Sequence, residues 1–168
     1  GELMRDFAVG AAVLGNLSAI YLYAYASLQI PIGLALDRWG PRQMLSGAAI
    51  LAACGSGLFA MAESLTLAYS GRLLVGIGCA VSFVGALKLA THWFPPKRFA
   101  FVSGMTMLVA MMGAIAGQAP LAALVDTVGW RAAMFGAAGG AALLGMATWL
   151  IVRDQPQGEE IHTAEPSR

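Results

Sequence analysis

The sequence predicts an all-α polytopic membrane bundle of five spanning helices, and three observations predict it. Only 11% of the 168 residues are charged while 58% are apolar, which lies outside the range of soluble domains. The charges are clustered, so residues 7–36, 43–62, 100–125 and 132–152 contain none. One phrase also occurs twice, 89 residues apart: QIPIGLALDRWGPR from Gln29 and QAPLAALVDTVGWR from Gln118. Gln29, Pro31, Asp37, Gly40 and Arg42 match Gln118, Pro120, Asp126, Gly129 and Arg131. A period of this size is the mark of duplicated units.

Each charge-free run holds at least the ~20 residues that cross a hydrocarbon core of roughly 30 Å. The first span is set at residues 8–36; no basic head leads a short apolar stretch to a cleavage site, so it reads as a span and not a leader. The second span is 43–62. The third, 65–92, is equally long and carries only Arg72 and Lys88 as charges. The fourth, 99–125, is crowded by Met105, Met107, Met111 and Met112, which adaptable packing explains better than a metal relay. The fifth is 132–152, so residues 1–153 form one transmembrane domain. Several spans exceed the minimum, so tilt or protrusion is expected. Residues 154–168 read as a polar, disordered loop.

One side of the membrane receives Arg38, Arg42, Lys97, Arg98, Arg153 and Arg168, and the other Arg5 and Arg131. The positive-inside rule makes the first side cytoplasmic, so the chain starts outside and ends inside a plasma (bacterial inner) membrane. A net charge of +1 argues against a nucleic-acid partner. Cys54 and Cys79 fall in separate spans without histidine neighbours and read as buried free thiols, with a metal or redox site as the lesser alternative. His92 and His162 are isolated, and no span carries paired acids or a serine–histidine set. No enzyme activity and no cofactor are expected.

Three spans separate the two copies of the phrase. An odd count inverts the second unit, the inverted-topology arrangement of secondary transporters. Subtracting the period from the third span places its counterpart at about −24 to 3, before Gly1, and the chain begins with Gly. The expectation is two inverted three-helix repeats with the first helix missing.

Gly33-Leu-Ala-Leu-Asp37-Arg38-Trp-Gly40-Pro-Arg42 resembles the hallmark loop of the major facilitator superfamily. Arg72-Leu-Leu-Val-Gly76-Ile-Gly78 is similar to the family's Arg-x-x-x-Gly-x-Gly motif on its fourth helix. Trp93-Phe94-Pro95, Lys97-Arg98 and Gly129-Trp130-Arg131 also fall where many members place them. The resemblance covers the chain to about Arg153 and implies helices two to six of a twelve-helix transporter, with the C-terminal six-helix half as a further partner. The antiporter signature Gly-x-x-x-Gly-Pro is matched by Gly113 and Gly117, but Pro120 comes two residues late, so antiport is not implied.

Asp37 ends its helix where the macrodipole is already negative, so it needs compensation. Arg38, Arg42 and the free N–H groups of the next helix are at hand. A turn clamp and a gate are both open readings. The resemblance implies that Gly33, Asp37, Arg38, Gly40 and Arg42 latch the cytoplasmic side to the other half. Arg72 lies roughly 10 Å from the outer end of its helix. An intramembrane base costs ~2.5–3.5 kcal/mol, so it faces a cavity or a partner unless it snorkels. Helical spacing puts Gly76, Cys79 and Phe83 on its face. Lys88 lies about 160° further round and nearer the cytoplasm, where both pathway lining and snorkelling fit. Ser18, Tyr21, Tyr25 and Gln29 form a polar-aromatic stripe that lines the pathway or bonds another helix. Gly33, Gly40, Gly76 and Gly78 permit close helix approach or unusual backbone angles, and Gly113-x-x-x-Gly117, ahead of Pro120, and Gly136-x-x-x-Gly140 have the spacing for tight helix packing.

These readings converge on secondary active transport of a small solute by alternating access, with a coupling proton as a further partner. If Lys88 faces the pathway with Arg72, the visible half of the cavity is positive and favours a small organic anion. The alternatives are a non-transporting membrane sensor or scaffold that reuses the fold, and a channel.

Overall fold

The computed structural model describes residue 7 and residues 9–117 and 119–153. The predicted polar tail, Arg5 and Gln118 lie outside the described residues. Among the described residues seven helical segments follow one another: α1 Ala11–Ser27, α2 Gln29–Trp39, α3 Pro41–Ala60, α4 Leu65–Trp93, α5 Pro96–Ala116, α6 Ala119–Val128 and α7 Trp130–Ile151. Helices α3, α4 and α7 and the stretch Pro96–Val128 are each long and apolar enough to cross a membrane, and α1 with α2 makes a fifth, bent span. The all-α bundle expected from the sequence is therefore present.

The first span is not straight. Its two pieces meet at Leu28 with a 52° bend. Pro31 is the cause, because its ring collides with the carbonyl four residues back and it has no N–H to donate. Side chains at the break bond back to carbonyls of the preceding turn: the Ser27 hydroxyl donates to the Tyr23 carbonyl, and Gln29 Nε2 donates to the Tyr25 carbonyl at 3.3 Å. The second copy of the phrase also interrupts its helix, although Pro96–Val128 runs on as one span. Helix α5 stops before Gly117, which is 89 residues after Leu28, and Pro120 follows at the position of Pro31.

Both copies end in the same turn. Gly40 (φ 78°) and Gly129 (φ 81°) sit in the left-handed region that suits a residue without Cβ, with ψ of 155° in each. The chain thereby reverses in one residue, and the next helix begins at once. Two residues further on lies an arginine in each copy. Arg42, at the start of α3, donates from Nε and Nη2 to the Trp149 carbonyl near the end of α7, at 2.9 and 2.7 Å. Its guanidinium also lies 4.5 Å above the Trp149 ring. At the opposite end Arg131, at the start of α7, donates to the Ala62 carbonyl just beyond α3, at 3.4 Å. Helices α3 and α7 are thus antiparallel and pinned at both ends, as inverted repeats require.

Helix α4 packs on α3 along a glycine seam. Gly71, Gly78 and Gly85 recur every seven residues, two helical turns apart, and face α3. A Cβ at Gly78 would stand 2.6 Å from the Ala48 carbonyl, and Gly55 and Gly71 each approach the other's carbonyl at 2.8 Å. The turn between the two helices is short, and the Ser64 hydroxyl caps α4 by accepting from the Leu67 N–H at 3.3 Å. Helix α1 lies along α4 through Gly76, whose Cβ position would fall 2.8 Å from the Tyr21 carbonyl. Two apolar clusters fill the junctions. Leu17, Phe59, Ala62, Ala68 and Trp130 close the Gly129 end; Ile32, Leu36, Ala48, Ala80 and Val81 lie toward the Gly40 end.

Two expectations change. Cys54 is exposed on α3 and not buried, while Cys79 is half-buried. The methionines of α5 are exposed, from 44% at Met105 to 61% at Met112, so they do not belong to the packed interior formed by the described residues.

Substituting Gly78→Val forces apart the α3–α4 seam and is expected to destabilise the chain by about 1–3 kcal/mol. Gly57→Ala, where a Cβ meets nothing within 4 Å, is expected to be neutral or stabilising. Thermal unfolding in the same detergent compares them, and equal midpoints for both variants would refute the seam.

Candidate functional site

Two polar constellations stand out against the apolar helices, one near each end. The first is an ion pair between Asp37, at the end of α2, and Lys88, on α4. Neither side chain is deeply buried, at 59% and 36% exposed. The sequence suggested Arg38, Arg42 and the next helix start as compensation for Asp37. The structure supplies Lys88 instead, commits Arg42 to Trp149, and leaves Arg38 exposed without a partner among the described residues. Lys88 is correspondingly held away from Arg72, from which it lies 16 residues, or about 24 Å, along a continuous helix.

Beside this pair is a cavity of about 460 Å³ lined by Gly33, Leu34, Leu36, Val84, Leu87 and Thr91. Gly33 has nothing within 4 Å of its Cβ position, so a side chain there would enter open space. Gly33 is therefore not a helix-packing glycine within this chain; its smallness keeps the cavity wide.

The second constellation centres on Arg72, between α1, α3 and α4. Its guanidinium lies 4.6 Å from the centroid of the Phe59 ring, a cation–π contact that favours a desolvated base. Its Nε is buried and has no hydrogen-bond partner among the described residues. Tyr21 of α1 is near enough to interact with Arg72 and with Cys79, its neighbour two turns along α4. The stripe expected on the first span is divided by the break: Tyr21 and Tyr25 stack at 6.3 Å on α1, whereas Gln29 opens α2 and Ser18 is exposed. Tyr25 packs against the cluster of Ile32 and Leu36, nearer the Gly40 end.

Gly76 and Gly78 are placed at helix crossings, against Tyr21 and Ala48. Gly113 meets nothing within 4 Å of its Cβ position and Gly117 meets only carbonyls of its own helix, while Pro120 lies in α6. Among the described residues no group of three histidine, cysteine or carboxylate side chains is placed to hold a metal.

Phe59 and Trp149 were missed in the sequence. An aromatic in an apolar run looks like any other core residue, and only the fold brings Phe59 under Arg72 and edge-on to Trp130 at 5.5 Å. The Asp37–Lys88 pair had a legible signal, since both groups fall near the same end of the first and third spans.

The ion pair is part-exposed, so its coupling is expected at about 0.2–1 kcal/mol. A double-mutant cycle of Asp37→Asn and Lys88→Gln, read by thermal unfolding, measures it. Strictly additive effects would show that the two groups act separately.

Comparison with known proteins agrees with this architecture. The Major Facilitator Superfamily matches residues 1–167. The nitrate/nitrite transporter NrtP of a Picosynechococcus strain is 28% identical over 99% of this chain and 36% of its own length. The uncharacterized transporter YybO of Bacillus subtilis is 31% identical over 78% of this chain and 30% of its own. The "Probable sulfoacetate transporter SauU" of Cupriavidus necator is 26% identical over 78% of this chain and 30% of its own. The chain thus spans about a third of the length of these curated relatives. With four helices long and apolar enough to cross a membrane, a fifth made by the bent pair, a duplicated glycine turn and a match along nearly its whole length, the chain belongs to the Major Facilitator Superfamily.

Proposed function

We propose that this chain is part of a secondary active transporter of a small anionic solute, working by alternating access in a bacterial inner membrane, and that Arg72 meets the anion. The observation that carries the reading is the buried, unpartnered Nε of Arg72. A guanidinium within a membrane requires a counter-ion or a wet cavity. Among the described residues the acids Asp37, Glu63 and Asp126 all sit at or beyond helix ends, and Asp37 is engaged by Lys88. The charge of Arg72 is left for a ligand. Lys88 adds nothing to that charge because Asp37 neutralises it. The printed names of two relatives concern nitrate or nitrite and sulfoacetate, all anions, which supports the same class.

The Gly40 end carries the gate. It gathers Arg38, Arg42, Lys97, Arg98 and Arg153, against Arg131 at the other end, and the positive-inside rule makes it cytoplasmic. The cavity beside Asp37 and Lys88, held open by Gly33, is the seat for a segment of the opposing half when the cytoplasmic side closes. Asp37 exchanges partners as that segment docks and leaves, which is the two-state element that alternating access needs.

Uptake into proteoliposomes made from the complete gene product tests both parts. Arg72→Gln is expected to lower kcat/KM by roughly ten- to a hundredfold, the worth of a hydrogen bond to a charged group. Competition by nitrate, sulfonates and dicarboxylates, but not by sugars or organic cations, is the expected profile. Preference for cations or neutral sugars would defeat the anion assignment. Asp37→Asn is expected to impair uptake at equal expression, and unchanged uptake would remove the gate. Absence of uptake or counterflow with every solute would instead favour a sensor or scaffold.

A further inference from the structure

A third feature belongs to neither constellation. Where α4 and α7 end and α5 begins, a groove of about 260 Å³ opens between the three helices. Its walls include Leu89 and Ala90 of α4, Val102 of α5 and Ile151 of α7, and its mouth is framed by Trp93 and Arg153. The Trp93 indole Nε1 donates to the Arg153 carbonyl at 3.0 Å, which ties the end of α4 to the end of α7 and fixes the rim. The Arg153 side chain is left exposed, as are Lys97 and Arg98 in the first turn of α5, three and four residues after the groove residue Phe94.

The chemistry of the groove is two-part. Its interior offers hydrocarbon and almost no hydrogen-bonding groups, so a polar solute gains little there. Its rim lies at the end of three membrane-crossing helices and presents an indole and several bases, the residues that sit at the headgroup level of a bilayer. Among the described residues this end carries Arg38, Lys88, Lys97, Arg98 and Arg153, besides the engaged Arg42, against Asp37, which is already paired with Lys88. The uncompensated charge is positive. Residues 154–168 contain one large aliphatic side chain, Ile161, among acids and amides, so they match the walls poorly.

We propose that this groove holds one acyl chain of an anionic phospholipid, with the lipid phosphate on Arg153 and the neighbouring Lys97 and Arg98. The site is independent of the transport reading. Lipid bound there would brace the ends of α4, α5 and α7 against one another at the face opposite the Asp37 pair on α4.

The test uses the full chain in phosphatidylcholine nanodiscs, titrated with brominated phosphatidylglycerol or brominated phosphatidylcholine. Quenching of Trp93 is isolated as the difference between wild type and Trp93→Phe. Brominated phosphatidylglycerol is expected to half-quench at a mole fraction at least about fivefold lower than brominated phosphatidylcholine, the worth of one base near an anionic headgroup. Arg153→Gln is expected to remove about fivefold of that selectivity. Equal quenching by both lipids would mean ordinary annular contact, and quenching by neither would mean that protein covers the groove; each overturns the proposal. Native mass spectrometry gives a second measure without altering Trp93. Retention of phosphatidylglycerol by a Lys97→Gln, Arg98→Gln, Arg153→Gln variant equal to that of wild type would also overturn it.

Discussion

The pairing of α3 with α7 through two arginines is the constraint on which the other helices depend. A helix ends with carbonyls that lack intrahelical partners and with the negative end of its macrodipole. Arg42 answers that need at the end of α7, and Arg131 at the end of α3. Such contacts are worth about 0.3–1 kcal/mol each when exposed and up to ~2 kcal/mol when partly buried. Their larger consequence is geometric. Two antiparallel helices, each carrying at its start the donor for the other's end, have one register in which both contacts form. Sliding by a turn breaks both.

Everything else hangs from that pair. Helix α4 is held to α3 by the Gly71, Gly78 and Gly85 seam, where backbones approach too closely for a side chain at Gly71 and Gly78 and the Leu45 side chain fills the space beside Gly85. Helices α1 and α2 are then held to α4 at three levels. Tyr69 Oη reaches the Val13 carbonyl at 3.4 Å, Tyr21 lies on Gly76, and Asp37 pairs with Lys88. The two constellations are therefore both products of α4. Arg72 and Lys88 occupy one continuous helix, but they face different neighbours at different depths, so one charge stays unpaired and the other does not.

The duplicated phrase had a physical content that its letters only partly revealed. Matching Gly and Arg residues foretold equivalent turns, and Gly40 and Gly129 do adopt the same conformation. Matching prolines also carried a signal: each lies three residues after a helix break, at Leu28 and Gly117. Unbroken spans over 8–36 and 99–125 were nevertheless expected, because hydropathy is blind to direction and continues across a bend. The difference between the copies was informative as well. Arg38 faces Thr127 in the alignment of the repeats, yet the structure engages Asp37 and Arg42 and leaves Arg38 exposed.

Class, number of crossings and inverted repetition were determined by the sequence alone, because they follow from local quantities: how long the chain stays uncharged, and where a phrase recurs. The family motifs at Gly33–Arg42 and Arg72–Gly78 were legible for the same reason. Partnership was decided only by tertiary structure. Lys88 could line a pathway, snorkel or pair, and the choice fell to Asp37 because a separate helix brings that carboxylate alongside. Phe59 could be any core aromatic until α3 placed it under Arg72. In a bilayer the apolar effect that sorts residues in soluble proteins is nearly uniform, so side-chain identity says that a helix is buried but not against what. Close-packing glycines, two prolines and a few charges supply that information, and they do so only once the helices meet.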